Sequence, residues 1–306
     1  MELTTGDNDK GRRLDRILRK ALPDHPLPLI HRLLRQGRVL IDGKPGKAQD
    51  RIDSGVKILI PSLKDALKED LRHRGKKDTE KELKIKLEIL WEGLGLIAVN
   101  KPAGLAVHGP ESLDDMVNSY LLDKLPASLS FKPGPLHRLD KPSSGVVVFS
   151  ASLEGARLFT SLMREHKVQK TYLAIVNGKL EKEALWQDEL VRDEDRKKTF
   201  ISQAQSNKSK TAITKVKPLA MENNRTLIQA EIETGRTHQI RAQAAFHGYP
   251  LAGDVKYGGK GNGNFFLHAW KLEFLEHSIE APLPLNMKAN CFADCFNQRF
   301  PVRKPS

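Results

Sequence analysis

Cysteine is nearly missing from this chain: 306 residues hold two, Cys291 and Cys295, with three residues between them. One close pair cannot build a disulfide framework. Nor do two thiols complete a four-ligand zinc set, even with histidines nearby, so no metal site is expected. A reducing, cytoplasmic setting is the natural one. Long apolar runs are missing too. The longest are of strand length and the first residues lack a signal-peptide pattern, so neither a membrane span nor a secretory leader is expected. Acidic residues are in short supply, 38 against 51 Lys and Arg, which leaves a formal net charge of +13 and a pI near 9.6. That balance favours a polyanionic partner, nucleic acid first, over a merely solvated cationic face. What remains is ordinary globular material. A hydrophobic fraction of 39% with 11 Phe and three Trp is enough for a real core, and the length suggests two domains.

The first sixty residues read as a small helical module. Leu14, Ile17 and Leu18 fall on one side of a helix, and Leu29 to Gln36 form a second that stops at Gly37. Pro23, Pro26 and Pro28 break the chain between them. A short strand Arg38–Ile41, a turn at Asp42-Gly43-Lys44-Pro45 and a strand Val56–Ile60 follow. From Lys64 to Lys84 charge dominates, with only Leu63, Leu67 and Leu71 as regular apolar marks. Residues 63–84 are therefore expected to be a solvated linker between a domain at 1–62 and another at 85–306.

Beyond the linker, strands are expected at Leu94–Asn100, Val146–Ser150, Thr171–Val176, Thr211–Pro218, Leu227–Glu233 and Phe265–Trp270. A helix capped by Ser152 carries Leu153, Ala156, Phe159, Leu162 and Met163, and another runs from about Thr237 to Gly248. The fold class is α+β around a large mixed or antiparallel sheet. Gly258–Gly263 is rich in glycine, but no helix follows, so it is a loop and not a phosphate cradle.

The stretch with the most chemistry is Pro135-Leu136-His137-Arg138-Leu139-Asp140-Lys141-Pro142-Ser143-Ser144-Gly145, just ahead of the apolar Val146–Phe149. It holds one carboxylate in a turn defined by Pro and Gly beside an arginine. Taken alone, Asp140 reads first as an Asx-turn carboxylate capping that turn. The stretch nevertheless resembles the HRLD-x-x-[ST]-S-G signature of the RluA family of pseudouridine synthases. Four further segments are similar to that family in the same order: Val99–Gly109, Lys170–Gly178, Glu233–Arg241 and Gly248–Gly258. The N-terminal module resembles an S4 RNA-binding domain over about fifty residues, through its two helices and Gly37-Arg38-Val39-Leu40-Ile41-Asp42-Gly43. Arg12, Arg13, Arg16, Arg19, Arg32, Arg35 and Arg38 sit on or beside those helices, where guanidinium groups grip phosphates bidentately and stack on bases.

The resemblance implies an enzyme that isomerises uridine in RNA with no metal or cofactor, acting on large-subunit (23S) ribosomal RNA; the oligomeric state is open in the sequence, with a monomer expected. It implies Asp140 as the catalytic residue, Arg236 as its ion partner, Tyr172 and Ile240 lining the uracil pocket, and Arg138 filling the space left by a flipped base. Read without it, Tyr172 and Ile240 are ordinary packing residues, Arg236 a surface or helix-start arginine, and Arg138 a phosphate contact or a partner of Asp140. His137, His238 and His247 lack ligand spacing and are expected to be structural hydrogen-bonders. Two other readings stay open: a transfer-RNA or dual-specificity synthase, and a non-catalytic S4 ribosome-assembly factor.

Overall fold

The computed structural model describes residues 1–60, 86–126, 128–202, 208–261 and 265–284, with Phe292 and Cys295. The expected charged linker, Cys291 and the tip of the Gly258–Gly263 loop lie outside these residues.

In the N-terminal module, α1 (Leu14–Ala21) and α2 (Leu27–Arg35) pack through Leu14, Ile17 and Leu18 against Ile30, Leu33 and Leu34, all buried. Helix α2 starts two residues before the sequence suggested. Pro28 falls in the first turn, where its missing N–H has no partner to lose. The helix ends as expected at Gly37, whose φ of +65° lets Arg38 N–H return to Leu33 O. Strand Lys57–Leu59 pairs with Leu40–Ile41 on one side and with Glu2–Thr4 on the other. The Glu2–Thr4 strand went unread, being three residues long with none buried.

The larger domain is built on an 11-stranded mixed sheet, as the α+β reading anticipated. Nine strands follow in spatial order: Lys198–Ser202, Ala184–Asp193, Lys210–Glu222, Arg225–Ile232, Val168–Asn177, Leu267–Phe274, Ser144–Ser150, Leu96–Lys101 and Glu88–Gly93. His277–Glu280 and Gly134–Pro135 pair off this path. Helices α3 (Leu113–Leu121), α4 (Leu153–Arg164) and α5 (Gln239–Phe246) complete the domain. All six expected strands are present. Those missed include Glu88–Gly93 and Lys198–Ser202 at the two ends of the path, where half-exposed side chains blur the alternation. Helix α3 was also missed, although Ser112 and Asp115 form a reciprocal cap at its start.

Strand Ser144–Ser150 explains its own apolar run. Val147 and Phe149 join one core with Ile97 and Val99, while Val146 and Val148 join another with Phe159 and Leu162 of α4. A strand covered on both faces needs no polar alternation. Its start runs parallel to Leu267–Phe274 through Ser144↔His268 and Gly145↔Ala269, whereas it is antiparallel to Leu96–Lys101. Only glycine fits at 145. Its φ is +113°, and a Cβ there would lie 2.2 Å from the Ala269 carbonyl oxygen. The loop carrying Asp140 enters the sheet at this tight crossing.

Candidate active site

Asp140 opens a turn closed by Ser143 N–H donating to Asp140 O at 3.0 Å. Beneath it lies Lys101, fully buried at the end of its strand. Its Nζ donates to Ser143 O (2.6 Å), Pro102 O (3.0 Å) and Lys141 O (3.1 Å), so one ammonium gathers the carbonyls of the loop from below. Burial pushes Lys101 down to about 8, and the charge of Asp140 works against that fall.

The side chain of Asp140 is held by an ion chain. Arg241 Nη1 donates to Asp140 Oδ2 at 2.7 Å. The same guanidinium is forked onto Asp254, with Nε to Oδ2 at 2.7 Å and Nη2 to Oδ1 at 2.9 Å. The rings of Tyr257 and Phe265 flank it at 4.9 and 4.5 Å. Burial opposes the charge on Arg241, but the hydrogen bonds and charges of Asp254 and Asp140 outweigh it and hold the group above its usual value. A bidentate grip fixes the plane of the guanidinium, so the hydrogen aimed at Asp140 has a set direction.

His238 approaches the same oxygen, with Nε2 3.6 Å from Asp140 Oδ2. Its Nδ1 lies 2.9 Å from the Tyr257 hydroxyl, which already accepts Thr199 N–H at 2.9 Å. The Tyr257 hydroxyl thus links Thr199 N–H to the His238 ring on the side away from Asp140. Burial pushes His238 down to about 4, against the pull of Asp140, so the ring is neutral near pH 7. At 3.6 Å this contact is electrostatic and not a hydrogen bond. Both contacts fall on Oδ2. Among the described residues, Oδ1 has no hydrogen-bond partner, and Asp140 lines the cleft.

The cleft in front of Asp140 is narrow, with a volume of about 70 Å³. Arg138, Tyr172, Arg236, Ile240 and Leu267 line it. Tyr172 sits opposite Ala230 on one neighbouring strand and Ala269 on the other, small residues that leave room for its ring. Burial first, and the Asp140 charge second, raise its phenol so that it stays protonated. Ile240 is buried, while Arg138 is exposed and makes no salt bridge among the described residues. A roomier groove of about 510 Å³, lined by Leu121, Leu122, Leu125, Phe131 and Pro133 among others, brings only Lys132 as a charged group and does not include Asp140.

One expectation is corrected. Arg236 is not the ion partner of Asp140: it is exposed at the rim, and its Nε donates to Thr211 O at 3.1 Å. The reason lies in the backbone. Arg236 precedes α5, its N–H fastened to Gln239 Oε1 at 3.0 Å, and His238 then takes a left-handed φ of +54° before the helix begins. The inward-facing guanidinium is therefore Arg241, within the helix. The pattern did hold a signal. Gln239, Arg241 and Gln243 are all buried on one short helix, and a buried arginine demands carboxylates, which the matched segments supply as Asp140 and Asp254. His238 was read as a structural hydrogen-bonder and lies in the cleft. The other two histidines do act structurally: His137 Nε2 accepts Val148 N–H at 3.1 Å, and His247 stacks on Trp186 and contacts Asp188.

Comparison with known proteins places the chain in a family. The family described as RNA pseudouridylate synthase matches residues 95–246. The ribosomal large subunit pseudouridine synthase C of Haemophilus influenzae is 32% identical over 285 residues, covering 90% of this chain and 87% of that one. The protein of the same name from Pasteurella multocida is 32% identical over 308 residues, covering 94% and 91%. Among solved structures, human RNA pseudouridylate synthase domain containing 4 shares the fold, with a TM-score of 0.55 and 23% identity over 72% of this chain and 95% of that one. With that identity sustained across nearly the full length of its relatives, the chain belongs to the RNA pseudouridylate synthases, in the RluA family of RNA-isomerising enzymes.

Proposed function

We propose that this enzyme converts specific uridines of large-subunit (23S) ribosomal RNA to pseudouridine in the cytoplasm, as a monomer, with residues 1–62 acting as an S4-type RNA-binding module. The ribosomal target is supported by relatives bearing that name over nine-tenths of the chain. The chemistry rests on one observation above the rest: a carboxylate lining a cleft, with one oxygen held by a clamped arginine and the other without a hydrogen-bond partner among the described residues.

Pseudouridine formation breaks the bond from C1′ to N1, turns the base, joins C1′ to C5, and exchanges the C5 proton for one on N1. Atoms balance within a single nucleotide, so no second substrate is required. Asp140 Oδ1 acts at the nucleoside as nucleophile or proton acceptor, while Arg241 holds the carboxylate in a set orientation. Tyr172 and Ile240 face the uracil. A stacked uridine must leave its helix first, at a cost of a few kcal/mol, and exposed Arg138 beside Asp140 occupies the vacated position. Arg236, at the rim, contacts the entering strand.

Asp140→Asn keeps the shape and removes the charge. It is expected to bind RNA as the parent does while forming product at least about 10³-fold more slowly. Turnover of Asp140→Asn equal to the parent overturns the mechanism. Chemical mapping of pseudouridine in total RNA from cells with and without the enzyme tests the target, and sites confined to transfer RNA favour the transfer-RNA reading.

A further inference from the structure

The two parts of the chain are locked together at the start of α4. Asn8 Oδ1 accepts Leu153 N–H at 2.9 Å, so the short 3₁₀ turn Asp7–Asp9 sits on the N-terminus of that helix. Asp9 is fully buried and accepts from Ser128 Oγ (2.8 Å), Leu129 N (2.9 Å) and Ser130 N (2.9 Å). Arg12 Nη1 donates to Ser130 O at 2.8 Å. These contacts fix how the N-terminal module faces α4.

What they bring together is positive charge. On α4, Arg157, Thr160, Ser161 and Arg164 recur at i, i+3, i+4 and i+7, and with Ala156 they line an open groove of about 500 Å³. Arg157, Thr160 and Arg164 are exposed, as is Arg16 on α1. Arg16 and Arg157 both lie close enough to Arg12 to lower its affinity for protons, after the larger effect of its burial. Asp9 offsets part of that effect on Arg12, while its oxygens accept from the Ser128–Ser130 backbone and hydroxyls. Glu165, at the far end of α4, is paired with Lys167 and Ser161. A fold that draws Arg16 and Arg157 toward Arg12 across a junction, and leaves Arg16, Arg157 and Arg164 outside any salt bridge among the described residues, is complementary to an external polyanion.

We propose that this seam is a second RNA-backbone site, in which Arg16 from the N-terminal module and Arg157 and Arg164 from α4 take the phosphates of one strand crossing the junction. The inference rests on the RNA-modifying reading above and adds where the substrate lies outside the cleft. The groove has no aromatic or large apolar side chain. It therefore offers neither a stacking platform for bases nor the apolar centre of a protein interface, and phosphate contacts are what it can make. Such contacts position a strand without reading its sequence, so the seam sets affinity and the length of RNA required, not the uridine chosen.

The test is the double variant Arg157→Gln/Arg164→Gln, assayed beside the parent with unmodified large-subunit ribosomal RNA. Both arginines are exposed, and an unchanged thermal midpoint verifies the fold. Expected is a rise of about tenfold in Kd at moderate salt, a slope of log Kd on log salt lowered by roughly one to two, and kcat unchanged at saturating RNA. Arg157→Lys/Arg164→Lys keeps the charges and retains most of the slope. An unchanged Kd and slope in the Gln variant overturns the proposal and leaves the face to an acidic protein partner. Parent turnover measured alongside separates the questions: if the parent forms no pseudouridine, the functional reading fails; if it does and the slope stays, only the seam fails.

Discussion

Arginine does opposite work in the two halves of this molecule. In the N-terminal module, Arg16, Arg32, Arg35 and Arg38 are exposed and make no salt bridge among the described residues, over a core that is aliphatic. Arg13 spends itself on Asp15, a surface pair worth ~1 kcal/mol or less. In the larger domain, Arg241 is 7% exposed and Asp254 2% exposed, and each needs the other. A guanidinium in water costs little to leave unpaired and can wait for a phosphate. One inside the protein must be satisfied on several sides, so its geometry is specified before any substrate arrives.

The sharpest way to break this contrast is to exchange the two arginines of the cleft. Arg241→Ala leaves Asp254 buried without a partner, which costs about 3–5 kcal/mol of stability. It also lets the Asp140 carboxylate turn, so kcat/KM is expected to fall at least about 100-fold. Arg241→Lys keeps a charge but loses the fork and recovers little. Arg236→Ala removes a rim contact to Thr211 O and is expected to cost about fivefold or less, mainly in KM. Urea unfolding together with single-turnover assays separates these effects. Greater damage from Arg236→Ala than from Arg241→Ala would return the ion partnership to residue 236.

Buried imidazoles extend the same contrast into pH. Burial pushes His137 down to about 3 and His268 down to about 4, both below the ordinary 6.5. Below pH 6.5 the unfolded chain binds protons that the folded chain refuses. Stability from these groups is therefore complete above that pH and drains away as pH falls toward 4, at up to about 1.4 kcal/mol per pH unit for each. His137→Gln offers an amide oxygen to Val148 N–H in place of the ring and removes one titration. Its unfolding free energy is expected to fall less steeply than the parent's between pH 6 and 5, by about that amount per unit. Parallel curves would mean that His137 takes up its proton inside the fold.

This division also governed what could be read from the amino acids. Leu14, Ile17 and Leu18 announce α1 because period and burial coincide, and Val146–Phe149 announces a strand because both its faces are covered. Asp140, Tyr172, Ile240 and Arg138 were named through motif resemblance, and all four line one cleft. The partner of Asp140 was misread by five residues. Local pattern does not reveal that His238 turns the chain through a left-handed conformation, and only that turn decides which arginine points inward. Asp254 lies in a matched segment, but its pairing is hidden for a related reason. Its role exists only across 13 residues of sequence and a hydrogen-bonded fork. Ala184–Asp193 hides as a strand because Asp188 shares a face with Trp186 and Leu190, where Gln243 and His247 satisfy it. Polar groups that find partners through tertiary structure spoil the alternation by which a strand is recognised.

The smallest expected effects belong to the waiting arginines, and they test whether waiting is all these residues do. Deleting the module is a poor instrument. It would strip Asn8 from Leu153 N–H and Asp9 from the Ser128–Ser130 donors, so any loss would report broken packing as much as lost RNA affinity. Single substitutions avoid this. Arg32→Gln, Arg35→Gln and Arg38→Gln change exposed side chains and should each leave stability within about 0.5 kcal/mol of the parent. Each phosphate contact removed should lower the salt slope of RNA binding by about 0.7–0.9 and leave kcat at saturating RNA untouched. The three together should add, because exposed charges contacting separate phosphates share no partner inside the protein. A triple variant whose Kd is unchanged while kcat drops would put the module into the chemical step, and the separation between charges that wait and charges that are fixed in advance would fail.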